Sequence, residues 1–358
     1  MEFALSNDQR VASDMLRKFL SDKCSSHHLR DELKTQIAFN LGRWQELGAL
    51  GMYEALISEA NDGLALRATD FCLMAQLCGY ALLPEPLVEQ AGVVLPLLER
   101  SGDDDALRLL KAVVAMPAPI ALVHPNMPFC LGPDEPYALL RSRGDDMVLM
   151  QPHEFDLRKQ PSIDPLRPVY TLAPGHAGGK VIASGALGRS LINWSGKQGA
   201  LLCAAQLIGI AQACLDLAVE YSKTRQQFGR AIGSYQALKH QMANTKVQIE
   251  RDQPMLYAAA ARVEEDTLSS QALVSQIYLN ASQTAVGAAR CALQVHGAMG
   301  YSWEVDVHLY LKRALMLSQQ WACPQDHSDH VAAAVLNGAL VQDTLFAAPS
   351  PQTVLAYA

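Results

Sequence analysis

Tyr221-Ser222-Lys223-Thr224-Arg225-Gln226-Gln227-Phe228-Gly229 is the stretch on which the reading of this chain turns. A helical pattern ends there in an Arg and a Phe-Gly turn, and a second helix begins at about Ser234-Tyr235-Gln236. About 65 residues further on, another helix runs into Gln294-Val295-His296-Gly297-Ala298-Met299-Gly300-Tyr301. The first motif offers a fixed cation and an aromatic face. The second offers a Gln side chain and backbone N–H groups left open by small residues. Together they suit a nucleotide cofactor with a pyrophosphate and an adenine. Either alone is weak, since an Arg-x-x-Phe-Gly segment also serves as an ordinary helix end with a C-terminal cation.

Outward from this stretch the pattern is helical on both sides. Residues 199–224, 234–264, 268–296 and 304–321 read as four long helices with short connections, which makes neighbours antiparallel as in a bundle. Pro254 is expected to kink the second or to mark its first turn after a break. Upstream, residues 114–192 change character: 11 of the 18 prolines fall between Pro117 and Pro174, among short β-like runs such as Met147–Met150 and Pro168–Leu172. Arg143-Gly144-Asp145-Asp146 reads as a hairpin turn, and the prolines fit loops and edge strands. Residues 1–113 read as helix after helix, with Asp103-Asp104-Asp105 capping the last. The fold class is therefore α+β and mainly α: a helical domain over 1–113, a small antiparallel β domain over 114–192, a four-helix bundle over 193–345 and a loose tail over 346–358.

Composition narrows the function classes. Half of the 358 residues are hydrophobic and only 18% are charged, which points to apolar surface buried between subunits. The net charge of −7 with scattered Lys and Arg argues against nucleic acid. The first residues do not read as a signal peptide, and no apolar run reads as long enough to cross a bilayer, so a cytoplasmic location is expected. Eight dispersed cysteines without a C-x-x-C pair read as reduced core residues. Asp326-His327-Ser328-Asp329-His330 has H-x-x-H spacing but reads as a polar helix start, so no metal site is expected.

The domain order and both motifs resemble the acyl-CoA dehydrogenase family over almost the whole chain. The likeness is most specific in Tyr221–Gln236 and Ala292–Arg313, where Gly300-Tyr301 and Lys312-Arg313-Ala314 stand at the family's Gly-Tyr and Arg-Asp-Ala. The resemblance implies FAD as cofactor, an acyl-CoA thioester as substrate, and an electron-transfer flavoprotein or similar acceptor. In such enzymes the FAD lies at a subunit interface. Carried over by position, Arg225, Gln227 and Phe228 would form an arm reaching the pyrophosphate and adenosine of the neighbouring subunit's FAD. Gln294, Val295, His296, Gly297 and Ala298 would form the accompanying loop, and Leu238 would lie at the adenine end.

The departures carry as much information. α,β-Desaturation needs a carboxylate base at the substrate's α-carbon. The family's usual Glu position falls on Ala322, in Gln320-Trp321-Ala322-Cys323, and the alternative position falls on Gly199, with no Asp or Glu between Leu191 and Leu215. Asp326 is the nearest carboxylate able to stand in, and only if the loop were rebuilt. The flavin-facing β motif is also absent, with Met127–Asp134 a faint echo. What is kept would serve a neighbour's FAD; what is lost would serve this chain's own. The pattern is similar to the degenerate subunit of a heteromeric acyl-CoA dehydrogenase, an α2β2 tetramer with one FAD per heterodimer, as in bacterial steroid side-chain breakdown. A homologous partner would supply the base and the flavin pocket. The alternatives are a homo-oligomeric dehydrogenase with a displaced base and a flavin-free structural or acyl-CoA-binding relative.

Overall fold

The computed structural model describes residues 7–35 and 39–340; the expected tail lies outside them. The N-terminal part is helical: α1 (Asn7–Lys23), α2 (Ser26–Thr35), α3 (Leu41–Ala49), α4 (Ala68–Tyr80), α5 (Leu87–Glu89), α6 (Leu95–Ser101) and α7 (Asp104–Ala115). Asp103 caps α7 as expected, its carboxylate accepting from the N–H groups of Asp105 and Ala106. One π turn, Gln90–Val94, joins α5 to α6.

The middle part holds β1 (Ile120–Val123), β2 (Cys130–Leu131), β3 (Ala138–Arg143), β4 (Asp146–Met150), β5 (Leu157–Gln160), β6 (Val169–Leu172) and β7 (Lys180–Ala183). They form two small sheets, ordered β1-β3-β4-β7 and β2-β6-β5, closed over Ala121, Cys130, Leu139, Val148, Met150, Phe155 and Tyr170. All eleven prolines of this region lie outside the strands, where their missing N–H breaks no ladder. β3 and β4 form the expected hairpin, with Gly144 at φ 60 in its loop. The expected all-antiparallel pairing needs one correction: β1 and β3 are parallel. The chain leaves the first sheet to contribute β2 to the second before it returns, and such a long excursion permits a parallel pair.

The C-terminal part contains α8 (Gly185–Thr224), a short hairpin of β8 (Gln226–Gln227) and β9 (Arg230–Ala231), α9 (Gln236–Ala260), α10 (Leu268–His296), α11 (Val307–Leu317) and α12 (Pro324–Leu336). α8 starts eight residues before the expected boundary at 193, directly after β7. α9 runs through Pro254 without a break. Contrary to the sequence reading, α8 is long and apolar enough to cross a membrane, but 78% of its apolar window is buried inside the protein. It is the core helix, apolar all round because α4, α9 and α10 surround it. Glycines allow the closest approach. A Cβ on Gly79 would sit 2.0 Å from the Gln206 carbonyl oxygen, and one on Gly209 would sit 1.9 Å from that of Gln76.

Buried charge pins the three parts together. Arg313, at the place of the family motif's Asp, pairs with Asp164 of the β5–β6 connection and donates to the Leu83 carbonyl at 2.9 Å. Nearby Arg167 donates to Glu89 at 3.0 Å and to Gln206 at 3.1 Å. A second buried group joins Arg43 to Glu32 and Glu85, both at 2.7 Å. Removing one member of such a pair strands the other charge and costs about 3–5 kcal/mol.

Candidate functional site

The arm is a two-residue β-hairpin standing on the end of α8. Its register pairs Gln226 with Ala231 and Gln227 with Arg230, and the Ile232 N–H donates to the Arg225 carbonyl at 2.9 Å. Phe228 and Gly229 form the loop with φ 54 and 80, the double left-handed turn that matches strand twist. Arg225 is thus both the C-cap of α8 and the root of the hairpin. Phe228 is 91% exposed at its tip. Arg225, Gln227 and Arg230 are exposed, and no carboxylate pairs with either guanidinium among the described residues.

α10 brings the second motif to the same end of the bundle. The His296 ring stacks on Tyr221 at 4.2 Å and its Nδ1–H donates to the Ala292 carbonyl at 2.8 Å. His296 and Val295 are therefore buried packing residues, whereas Gln294, Gly297 and Ala298 face outward. The Gly297 N–H closes α10 on the carbonyls of Gln294 and Leu293, so it is not the free donor expected from its small size. Leu238, in the first turn of α9, is half-buried and packs on the core.

The two expected base positions meet around one side chain. Trp321 is 1% exposed, and a Cβ on Gly199 would lie 2.3 Å from its indole carbons. The indole fills the space that a carboxylate at 199 would need. Trp321 and Ala322 are both in the left-handed region, at φ 59 and 89. Two bonds hold this turn: the Ala322 N–H donates to the Asn126 carbonyl at 2.7 Å, and His327 Nε2–H donates to the Trp321 carbonyl at 2.9 Å. That second bond fixes the His327 tautomer, leaving Nδ1 to accept from the Ser275 hydroxyl at 3.1 Å. His124, at the end of β1, packs its ring 5.4 Å from the indole and accepts from the Asn126 N–H at 3.1 Å. Burial depresses both histidines from their ordinary 6.5 to about 4.

Asp326 is placed against a catalytic role. Its carboxylate accepts from the Cys323 N–H at 3.0 Å as the capping residue of α12, is fully exposed, and is held below the usual carboxylate range by the Cys323 thiol and N–H. A general base needs the opposite shift. His327 lies buried within α12 against Tyr278, at 4.2 Å, as a packing residue. Six cysteines are buried as expected, Cys291 is half-buried and Cys323 is exposed.

Beside Trp321 the β part and the bundle close directly on one another. The turn after β1 and the turn after α11 are hydrogen-bonded directly to one another through Asn126 and Ala322. A partly open cavity between the helical part and β1–β2, lined by Glu89, Gln90, Val94, Ile120, Leu122 and Met127, holds about 10 Å³, room for one water. A planar cation, a Gln and an aromatic ring stand exposed at one end of the bundle, a donor set suited to an anionic group. The sequence places Arg225–Gly229 in a turn and no carboxylate at 199 or 322. It did not foresee the parts of His124, Asn126 and Trp321 in closing the gap, because nothing in sequence places residues 124 and 199 against 321.

A helical layer, a small two-sheet layer and an antiparallel bundle with an outward hairpin make up the scaffold. The chain matches the acyl-CoA dehydrogenase N-terminal domain over residues 6–113 and the C-terminal domain over 187–319, and it belongs to the acyl-CoA dehydrogenase family. FAD is the cofactor of that family. Among curated relatives, the chain is 28% identical to acyl-CoA dehydrogenase IpdE2 of Mycolicibacterium smegmatis, over 92% of this chain and 100% of the relative. It is 29% identical to IpdE2 of Mycobacterium tuberculosis, over 87% and 93%. Among solved structures, butyryl-CoA dehydrogenase from Megasphaera elsdenii shares the fold with TM-score 0.82 at 19% identity, over 94% of this chain and 100% of that one. The ChsE4–ChsE5 complex from Mycobacterium tuberculosis shares it with TM-score 0.78 at 18% identity, over 94% and 99%.

Proposed function

We propose that this chain is the non-catalytic subunit of a heteromeric, FAD-dependent acyl-CoA dehydrogenase, assembled as α2β2 with a homologous partner. The observation that carries the reading is the Trp321 indole packed against Gly199, which fills that base position, beside an alanine held at φ 89 at the other, while the arm bearing Arg225 stays exposed. Arg225, Gln227 and Phe228, with Gln294 and Ala298 beside them, hold the pyrophosphate and adenosine of the FAD bound mainly by the partner. Leu238 backs the adenine end. Val295, His296 and Gly297 set the shape of the loop from behind. When bound, FAD supplies the hydride acceptor for desaturation of an acyl-CoA. The partner's carboxylate removes the proton, and an electron-transfer flavoprotein or similar protein takes the electrons in the cytoplasm. Two neighbours in fold are described as the ChsE4–ChsE5 complex and the Tcur3481–Tcur3483 steroid dehydrogenase, so two-chain assembly and a steroid side-chain thioester are the natural first substrate and architecture to test.

Purification separates the readings. The chain alone is expected to be colourless, and co-expression with a homologous chain that carries the Glu is expected to give a yellow tetramer that turns over. A homo-oligomer of this chain with stoichiometric FAD and turnover would overturn the proposal.

A further inference from the structure

The hairpin carries a second cation whose position is fixed more firmly than that of Arg225. Side chains alternate along a strand, and cross-strand partners share a face. The register of Gln227 with Arg230, and of Arg225 with Ile232 at the root, therefore puts Arg225, Gln227 and Arg230 on one face. The Arg230 guanidinium lies over the Tyr235 ring, 4.1 Å from its centroid. The same tyrosine donates its hydroxyl to the Gln227 carbonyl at 3.2 Å and meets the Phe228 ring edge-on at 6.4 Å. Tyr235 thus ties Arg230, Gln227 and the tip of the arm into one unit. Neither guanidinium has a carboxylate partner among the described residues, although the chain carries a net charge of −7.

We infer that Arg230 is a second phosphate-positioning residue and that Tyr235 is the platform that orders it. The ligand chemistry is a doubly charged pyrophosphate diester: Arg225 and Arg230 on one hairpin face supply one cation for each negative phosphate. A guanidinium stacked on an aromatic ring keeps its N–H fork free for the anion and loses little rotamer freedom on binding. The inference rests on the proposed FAD role of the arm and assigns a residue that the family motif does not include.

The test measures FAD dissociation from the complex with the homologous partner, by flavin fluorescence, over a range of salt. Arg230→Ala is expected to weaken FAD about ten- to a hundredfold, as loss of a charge-assisted hydrogen bond does. It is also expected to flatten the salt dependence, because one screened charge pair is gone. Arg230→Lys should recover part of the affinity and all of the salt slope. Tyr235→Leu should weaken FAD by severalfold, and Tyr235→Phe, which keeps the ring, should not. Circular dichroism and tetramer mass confirm that each variant assembles. Unchanged affinity and slope in Arg230→Ala, with Arg225→Ala weakened, overturn this inference alone. No loss in Arg225→Ala overturns the arm reading beneath it.

Discussion

The arm and the Trp321 turn use the same backbone device to opposite ends. Each places two consecutive residues in the left-handed region: Phe228 and Gly229 at φ 54 and 80, Trp321 and Ala322 at φ 59 and 89. In the arm the result is an aromatic ring 91% exposed; in the turn it is one 1% exposed. What differs is the support. The arm is held only by its own hairpin bonds and by Tyr235. The turn is gripped from β1 by Asn126 and from α12 by His327. Strain of this kind persists only where surrounding structure over-determines it. The outward-facing ring stays open to contact, and the inward-facing one is sealed between β part and bundle.

The largest effect should come from restoring a base to the closed side. Gly199→Glu puts side-chain atoms into the Trp321 indole and buries a carboxylate without a partner. A loss of more than about 4 kcal/mol is expected, seen as failure to accumulate folded protein. A stable, folded Gly199→Glu chain would show that the turn is loose and would break the contrast with the arm. Next is Trp321→Ala, which empties the space without adding charge. It should lower stability by about 3–5 kcal/mol in a denaturant titration, yet leave the FAD content of the complex unchanged.

Acid should act on the closed side. His124 and His327 are depressed from 6.5 to about 4 by burial, so between those values the unfolded chain binds protons that the folded chain refuses. Their contribution is complete above pH 6.5 and is lost as pH falls towards 4, about 3 kcal/mol for each. Denaturant midpoints across this range should fall accordingly, and His327→Gln should remove part of the slope. The smallest stability effect belongs to the arm. Phe228→Ala removes an exposed ring, so the unfolding midpoint should shift by less than about 0.5 kcal/mol while FAD dissociation quickens severalfold. A large stability loss there would mean that the tip is packed, not offered.

The contrast also explains which parts could be read from sequence. The arm is contiguous, so Arg225, Phe228 and Gly229 announce it together. The closing turn joins Asn126, Gly199 and Trp321, which are far apart in the chain, and only the absence of a carboxylate hinted at it. The start of α8 was read too late because Gly185, Gly188, Gly196 and Gly199 look like interruptions. The structure shows Gly188 tight against the Asp145 carbonyl and Gly196 against His124 and Asn126, so these are packing devices inside a helix. The parallel pairing of β1 with β3 runs against the usual expectation for short strands with turns between them. The Arg313–Asp164 pair spans 149 positions, beyond any local pattern.

The packing of Trp321 against Gly199 has a historical consequence. A subunit that had merely lost its glutamate could regain it by one substitution. Here a glutamate at 199 meets an indole, and one at 322 must adopt φ 89 on a backbone already bonded to β1. Installing a carboxylate here would require the side chain, the space and the turn after β1 to change together. The tryptophan acts as a ratchet: with the gap filled, a single substitution no longer suffices to place a carboxylate at 199.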